Sequence, residues 1–159
     1  MGKFKGFAEL REPHDLVKKL EYDFNRILTS PEDQYAAFDF FVTAEHIVDW
    51  IYPAPSDRKK RESMRSASSL LQITSHLANG VKHFEATSKH HRSVDDVFKS
   101  RYVDEGYVED KYFDEPLIIN FTDSEQQSFG DRCIEVKNFA RQVLDYWQFN
   151  VPRKLSADT

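Results

Sequence analysis

The chain has little of what staples or turns a small domain. Cys133 is its only cysteine, so no internal disulfide can form and a reducing, cytoplasmic setting is expected. Five Gly and six Pro in 159 residues are too few for a turn-rich β-sandwich. No apolar run approaches the ~18 residues that a membrane span needs. The opening Met-Gly-Lys-Phe-Lys-Gly lacks the apolar stretch of a signal peptide and the Ser or Thr of a myristoylation site, so no membrane partner is expected. Gly-x-Ser-x-Gly and phosphate-cradling glycine loops are missing, which removes the common hydrolase and nucleotide-binding signatures. No Glu-x-x-His or His-x-x-x-His pair marks a helix, so neither metal nor cofactor is expected.

What is present is aromatic and charged. Thirteen Phe, seven Tyr and two Trp supply a large core for one domain spanning 1–159. The net charge of −5 is unevenly spread. Residues 57–92 carry eight Lys/Arg against three Asp/Glu, whereas residues 93–131 carry three against eleven. Such asymmetry suits either packing of one segment on the other or recognition of a charged partner.

Helical periodicity dominates. Leu16, Val17, Leu20, Phe24, Ile27 and Leu28 predict a first helix from Pro13 or His14. Ser30-Pro31-Glu32-Asp33 predicts a restart with Ser30 as cap and Pro31 in the first turn, and the second helix then runs to about Tyr52. A third helix is expected from Ser56 or Asp57 onward, with Asn79-Gly80 as a break or kink. The period fails from Lys89 to Asp131, where Leu117-Ile118-Ile119-Asn120-Phe121 is the best strand and Tyr102-Val103, Tyr107-Val108 and Tyr112-Phe113 are strand fragments. Ile134, Val136, Phe139, Ala140, Val143, Leu144 and Trp147 mark a fourth helix, and residues 150–159 read as a flexible tail. The expected fold class is mainly α: a four-helix, bundle-like domain with a small antiparallel β insert, acidic and covering 93–123, between the third and fourth helices.

Two polar stripes interrupt the apolar helices. Asp39, Thr43, His46 and Asp49 fall on one side of the second helix, and Ser69, Gln72, His76, Asn79 and His83 on one side of the third. Facing each other, they would form a polar pocket around Asp39, His46, Asp49 and His76. The basic run Arg58-Lys59-Lys60-Arg61 opens the third helix, where cations oppose the helix dipole. An anionic neighbour is therefore expected there, either the acidic segment or nucleic-acid phosphate.

Ala78-Asn79-Gly80-Val81-Lys82-His83-Phe84 resembles the motif of HEPN proteins, small helical bundles that include many ribonucleases. In that family an Arg precedes a polar residue, often Asn, with a His four positions later; here Asn79 and His83 match while Ala78 stands in the Arg position. The resemblance implies RNA cleavage across a homodimer interface, with His83 as acid/base and Lys82 or Asn79 assisting. The two stripes also look like segments of small bacterial or phage proteins, a similarity that supplies no function. The leading expectation is a non-enzymatic interaction or regulatory protein whose partner is a protein or nucleic acid. A HEPN-like or degenerate ribonuclease and a metal-binding bundle enzyme are the alternatives.

Overall fold

The computed structural model describes residues 5–82, 93–99 and 115–151. Its helices are α1 (Pro13–Thr29), α2 (Gln34–Ile51), α3 (Arg58–Ser66), α4 (Ser69–Lys82), α5 (Asp123–Phe129) and α6 (Val136–Asn150). Strands β1 (Val94–Lys99), β2 (Leu117–Phe121) and β3 (Cys133–Glu135) make one antiparallel sheet in the order β1-β2-β3. The described fold is thus mainly helical with a small antiparallel sheet. None of its helices is long and apolar enough to cross a membrane.

The central helix α2 is apolar over most of its circumference and packs against α1, α4 and α6. Ala36, Ala37, Phe40, Phe41, Ala44, Ile47 and Val48 are all buried in a cluster shared with α1, α4, α6 and β2. The start of α2 departs from expectation. Asp33, not Ser30, caps it: one carboxylate oxygen accepts from the Tyr35 and Ala36 amides at 2.8 and 3.1 Å. The Ser30 amide instead closes α1 on the Arg26 carbonyl, and Asp33 N–H donates to the Ser30 carbonyl to form the turn. A carboxylate that takes two amides outcompetes a hydroxyl that would take one.

The expected third helix is two helices. Ala67 and Ser68 interrupt it: Ala67 N–H donates back to the Ser63 carbonyl, while Ser68 supplies both a carbonyl for the Gln72 amide and an Oγ 3.5 Å from the Leu71 amide. Gln72 Nε2 then donates to the Ser66 carbonyl, which the end of α3 leaves unpaired. Conversely, Asn79-Gly80 does not break α4, which runs on to Lys82 with Gly80 outside the left-handed region.

Strand β2 is the middle of the sheet and turns Leu117, Ile119 and Phe121 into the core. Strand β1 is exposed along most of its length, and its register slips between Val94 and Asp96, where Asp96 Oδ1 accepts from the Val97 amide. The segment after Phe121 also differs from expectation. A short α5 comes first, closed by Gly130 at φ +89°, and Ile134 lies in β3, not in the last helix, which begins at Val136. The strand fragments expected between residues 102 and 113 and the tail beyond Val151 lie outside the described residues.

Six phenylalanines link these layers. Ring centroids are separated by 6.2 Å for Phe24–Phe40, 5.3 Å for Phe40–Phe41 and 6.0 Å for Phe41–Phe139. The chain continues at 6.0 Å for Phe139–Phe129 and 5.1 Å for Phe129–Phe121, in tilted or edge geometries that favour aromatic pairs.

Candidate binding clefts beside Phe38

Phe38 projects from α2 into solvent, 46% exposed, because the period that buries Ala37 and Phe41 turns it outward. It is the shared wall of two clefts. The first, about 610 Å³, lies between α2, α4 and β1, and its floor is the edge of the core at Phe41, Leu77, Leu117 and Val136. Tyr35, 71% exposed, and Val97 form its outer rim. Asp95 and Asp96 are the only charged groups among the described residues that line it.

His76 fixes one wall. Its Nδ1 accepts from the Ser93 and Val94 amides at 3.1 and 3.0 Å, so this nitrogen carries no proton and the imidazole ties the start of β1 to α4. The role is positional, and it was not evident from a stripe that grouped His76 with Asn79.

The second cleft, about 400 Å³, lies between α2 and α4. It brings together His46, Asp49 and Asn79 from the two predicted stripes, with Phe38, Val42 and Ala78 as apolar walls. Asn79 Nδ2 donates to the Ser75 carbonyl one turn back. Asp39 and His76 do not join this group. Asp39 turns to α1, where Arg26 donates to it at 2.6 Å, and His76 faces the first cleft. Thr43 points inward to Asp23.

The residue that the sequence reading missed is Glu45. It lines the second cleft, its Oε1 lies 2.7 Å from Arg65 Nε and accepts from Ser75 Oγ at 3.3 Å. The Arg65 Nε approach is off the N–H axis, so it is a charge contact without a hydrogen bond from that nitrogen. Burial pushes the Glu45 carboxyl up to about 7; Arg65 opposes the rise, the nearby Asp49 carboxylate adds to it, and the Ser75 hydroxyl opposes it. Asp49 in turn meets Arg65 at 3.2 Å and Arg61 at 3.6 Å. A signal was available: Glu45 and Asp49 on α2 have the same i,i+4 spacing as Arg61 and Arg65 on α3.

The basic run finds its anionic neighbours close by. Arg58 pairs with Glu62 at 2.8 Å and Lys60 with Asp57 at 2.8 Å. Arg61 donates to the Tyr52 and Ala54 carbonyls at 2.6 and 2.8 Å, closing the C-terminal end of α2. Lys59 is the one member of the run with no carboxylate partner among the described residues. His83 and the Lys82 side chain lie outside the described residues. Among those described, no group of three or more His, Cys, Asp or Glu side chains could hold a metal ion.

No protein-family model, no curated protein and no solved structure gives a significant match to this chain.

Proposed function

We propose that this protein is a non-enzymatic interaction module that receives a cationic, apolar-anchored segment of a partner protein in the cleft between α2, α4 and β1. The observation that carries this reading is the exposure of Tyr35 and Phe38 beside a cleft floored by Phe41, Leu77 and Leu117, with Asp95 and Asp96 as its only charges among the described lining residues. Large aromatic side chains held at the rim of an apolar depression are the usual anchors of protein recognition. Two carboxylates on that rim select a basic partner and speed its approach. The same carboxylates repel phosphate, and the basic run that would attract it is largely neutralised within the fold.

The test uses a panel of short synthetic peptides, each with paired Leu or Phe anchors and either Lys/Arg, Gln or Glu at the remaining positions. Titrated into isotopically labelled protein, the cationic set alone should shift the amides of Tyr35, Phe38, Phe41 and Val97. Binding should weaken on Phe38→Ala, on Asp95→Asn with Asp96→Asn, and with added salt. Equal binding of acidic and basic peptides, or shifts confined to other surfaces, would overturn the reading.

A further inference from the structure

The first cleft constrains the backbone of whatever fills it. Its floor is apolar, at Phe41, Leu77, Leu117 and Val136. A chain lying on that floor has to arrive with its amides and carbonyls already paired, or find partners on the walls. The wall that could offer a ladder is β1, the outer strand of the sheet. Three donors along it are taken by side chains. The Ser93 and Val94 amides donate to His76 Nδ1, and the Val97 amide donates to Asp96 Oδ1 at 2.8 Å. The register slip between Val94 and Asp96 interrupts the row again. An extended peptide would have to displace both side chains before it could pair there. A helix pairs its own backbone and needs only side-chain contacts.

The α4 wall suits a close approach. Gly80 lines the cleft, yet neither backbone nor packing calls for glycine at this position. Its φ lies outside the left-handed region, and a Cβ built on it meets nothing within 4 Å among the described residues. Glycine inside a helix costs stability. What it provides is bare wall, over which a second backbone can pass closer than a side chain would allow. On α2, Tyr35 and Phe38 stand three residues apart and form one exposed aromatic ridge beside the same cleft.

We propose that the partner segment seated in the first cleft is an amphipathic basic helix that crosses α4 at Gly80. Its apolar side chains lie between Phe38 and the cleft floor, and its Lys or Arg residues turn toward Asp95 and Asp96. The inference rests on the binding function proposed for this cleft, and adds the partner's conformation and its point of closest approach. Apolar residues at i, i+3, i+4 and i+7 form the buried face of such a helix. The cations fall on its flank, where they meet the two carboxylates without being buried.

The experiment compares two synthetic peptides of identical Leu and Lys composition, titrated into the full chain. One places Leu at i, i+3, i+4 and i+7, and the other alternates Leu with Lys. The helical order should bind on the order of tenfold more tightly, and its carbon-labelled backbone should move to helical chemical shifts when bound. A Pro at the centre of that peptide should remove the advantage. Gly80→Leu should weaken binding by about tenfold or more, and Gly80→Ala by a smaller factor, while amides away from the cleft keep their native positions. If Gly80→Leu loses its native spectrum, Gly80→Ala carries the same test. Equal affinity for the alternating peptide, extended shifts in the bound helical-order peptide, or undiminished binding to both Gly80 variants would overturn the helix and leave the cleft standing. Failure of either peptide to shift the Tyr35 and Phe38 amides of the wild type would instead overturn the cleft, and the helix with it.

Discussion

Asp23 occupies a position that the period of α1 assigns to the core, among Leu20, Phe24 and Ile27, and it is 1% exposed. Its carboxylate is held by Lys19 and Arg26 from its own helix and by the Thr43 hydroxyl across the α1–α2 interface. A buried carboxylate is tolerated when it is paired in this way, and truncating it strands its partners. Asp23→Ala should therefore destabilise the fold by about 2 kcal/mol, read from the urea midpoint at constant slope. A change below about 0.5 kcal/mol would mean that Lys19, Arg26 and Thr43 rehydrate freely. Leu28 shows the converse error of reading by period alone. It was assigned to the apolar face and is 46% exposed, because it lies about 100° round the helix from the buried Ile27, at the edge of that face.

At the scale of elements, helices were legible wherever an apolar stripe ran unbroken, as in α1, α2 and α6. Of the sheet, β2 was legible as the apolar run Leu117-Ile118-Ile119-Asn120-Phe121, whereas β1 was not anticipated and Ile134 of β3 was assigned to the last helix. Boundaries were less so, since they depend on which of several capping groups wins. Asp33 displaced Ser30, and Ser68 split a stripe whose apolar residues continue in step on both sides. Strand β3 is three residues long and pairs with a partner 15 residues back, which no local pattern encodes. Of the two stripes, His46, Asp49 and Asn79 line one cleft while Asp39 and His76 lie elsewhere, and the carboxyl whose proton affinity is raised is the neighbouring Glu45. Gly80 offers a test at this scale. It sits inside α4, and a Cβ built there meets nothing within 4 Å. Gly80→Ala should stabilise the protein by about 0.5 to 1 kcal/mol through lower unfolded-state entropy and better helix propensity. A lower melting temperature for this variant would show that α4 needs the glycine after all.

For the molecule as a whole, the linked phenylalanines join α1, α2, α5, α6 and β2 into one packing unit, with Phe139 at its centre. Phe139 is fully buried and touches rings on two sides. Phe139→Ala should cost about 4 kcal/mol, and the sheet amides should lose exchange protection together with those of α6. A loss confined to α6 would show that the sheet is stabilised independently. The uneven charge also resolves at this scale. The basic run is balanced chiefly by Asp49, Asp57 and Glu62 near it, and among the described residues no cation pairs with Asp95 or Asp96, which line the cleft beside Tyr35 and Phe38. The slipped register of β1 has a consequence for the protein in concentrated solution. An outer strand invites sheet-to-sheet aggregation when it offers an unbroken row of donors and acceptors. Here Asp96 occupies the Val97 amide with its own side chain, and two adjacent negative charges mark the same stretch. Both features make the strand that borders the cleft a poorer template for a second strand than an unbroken edge would be.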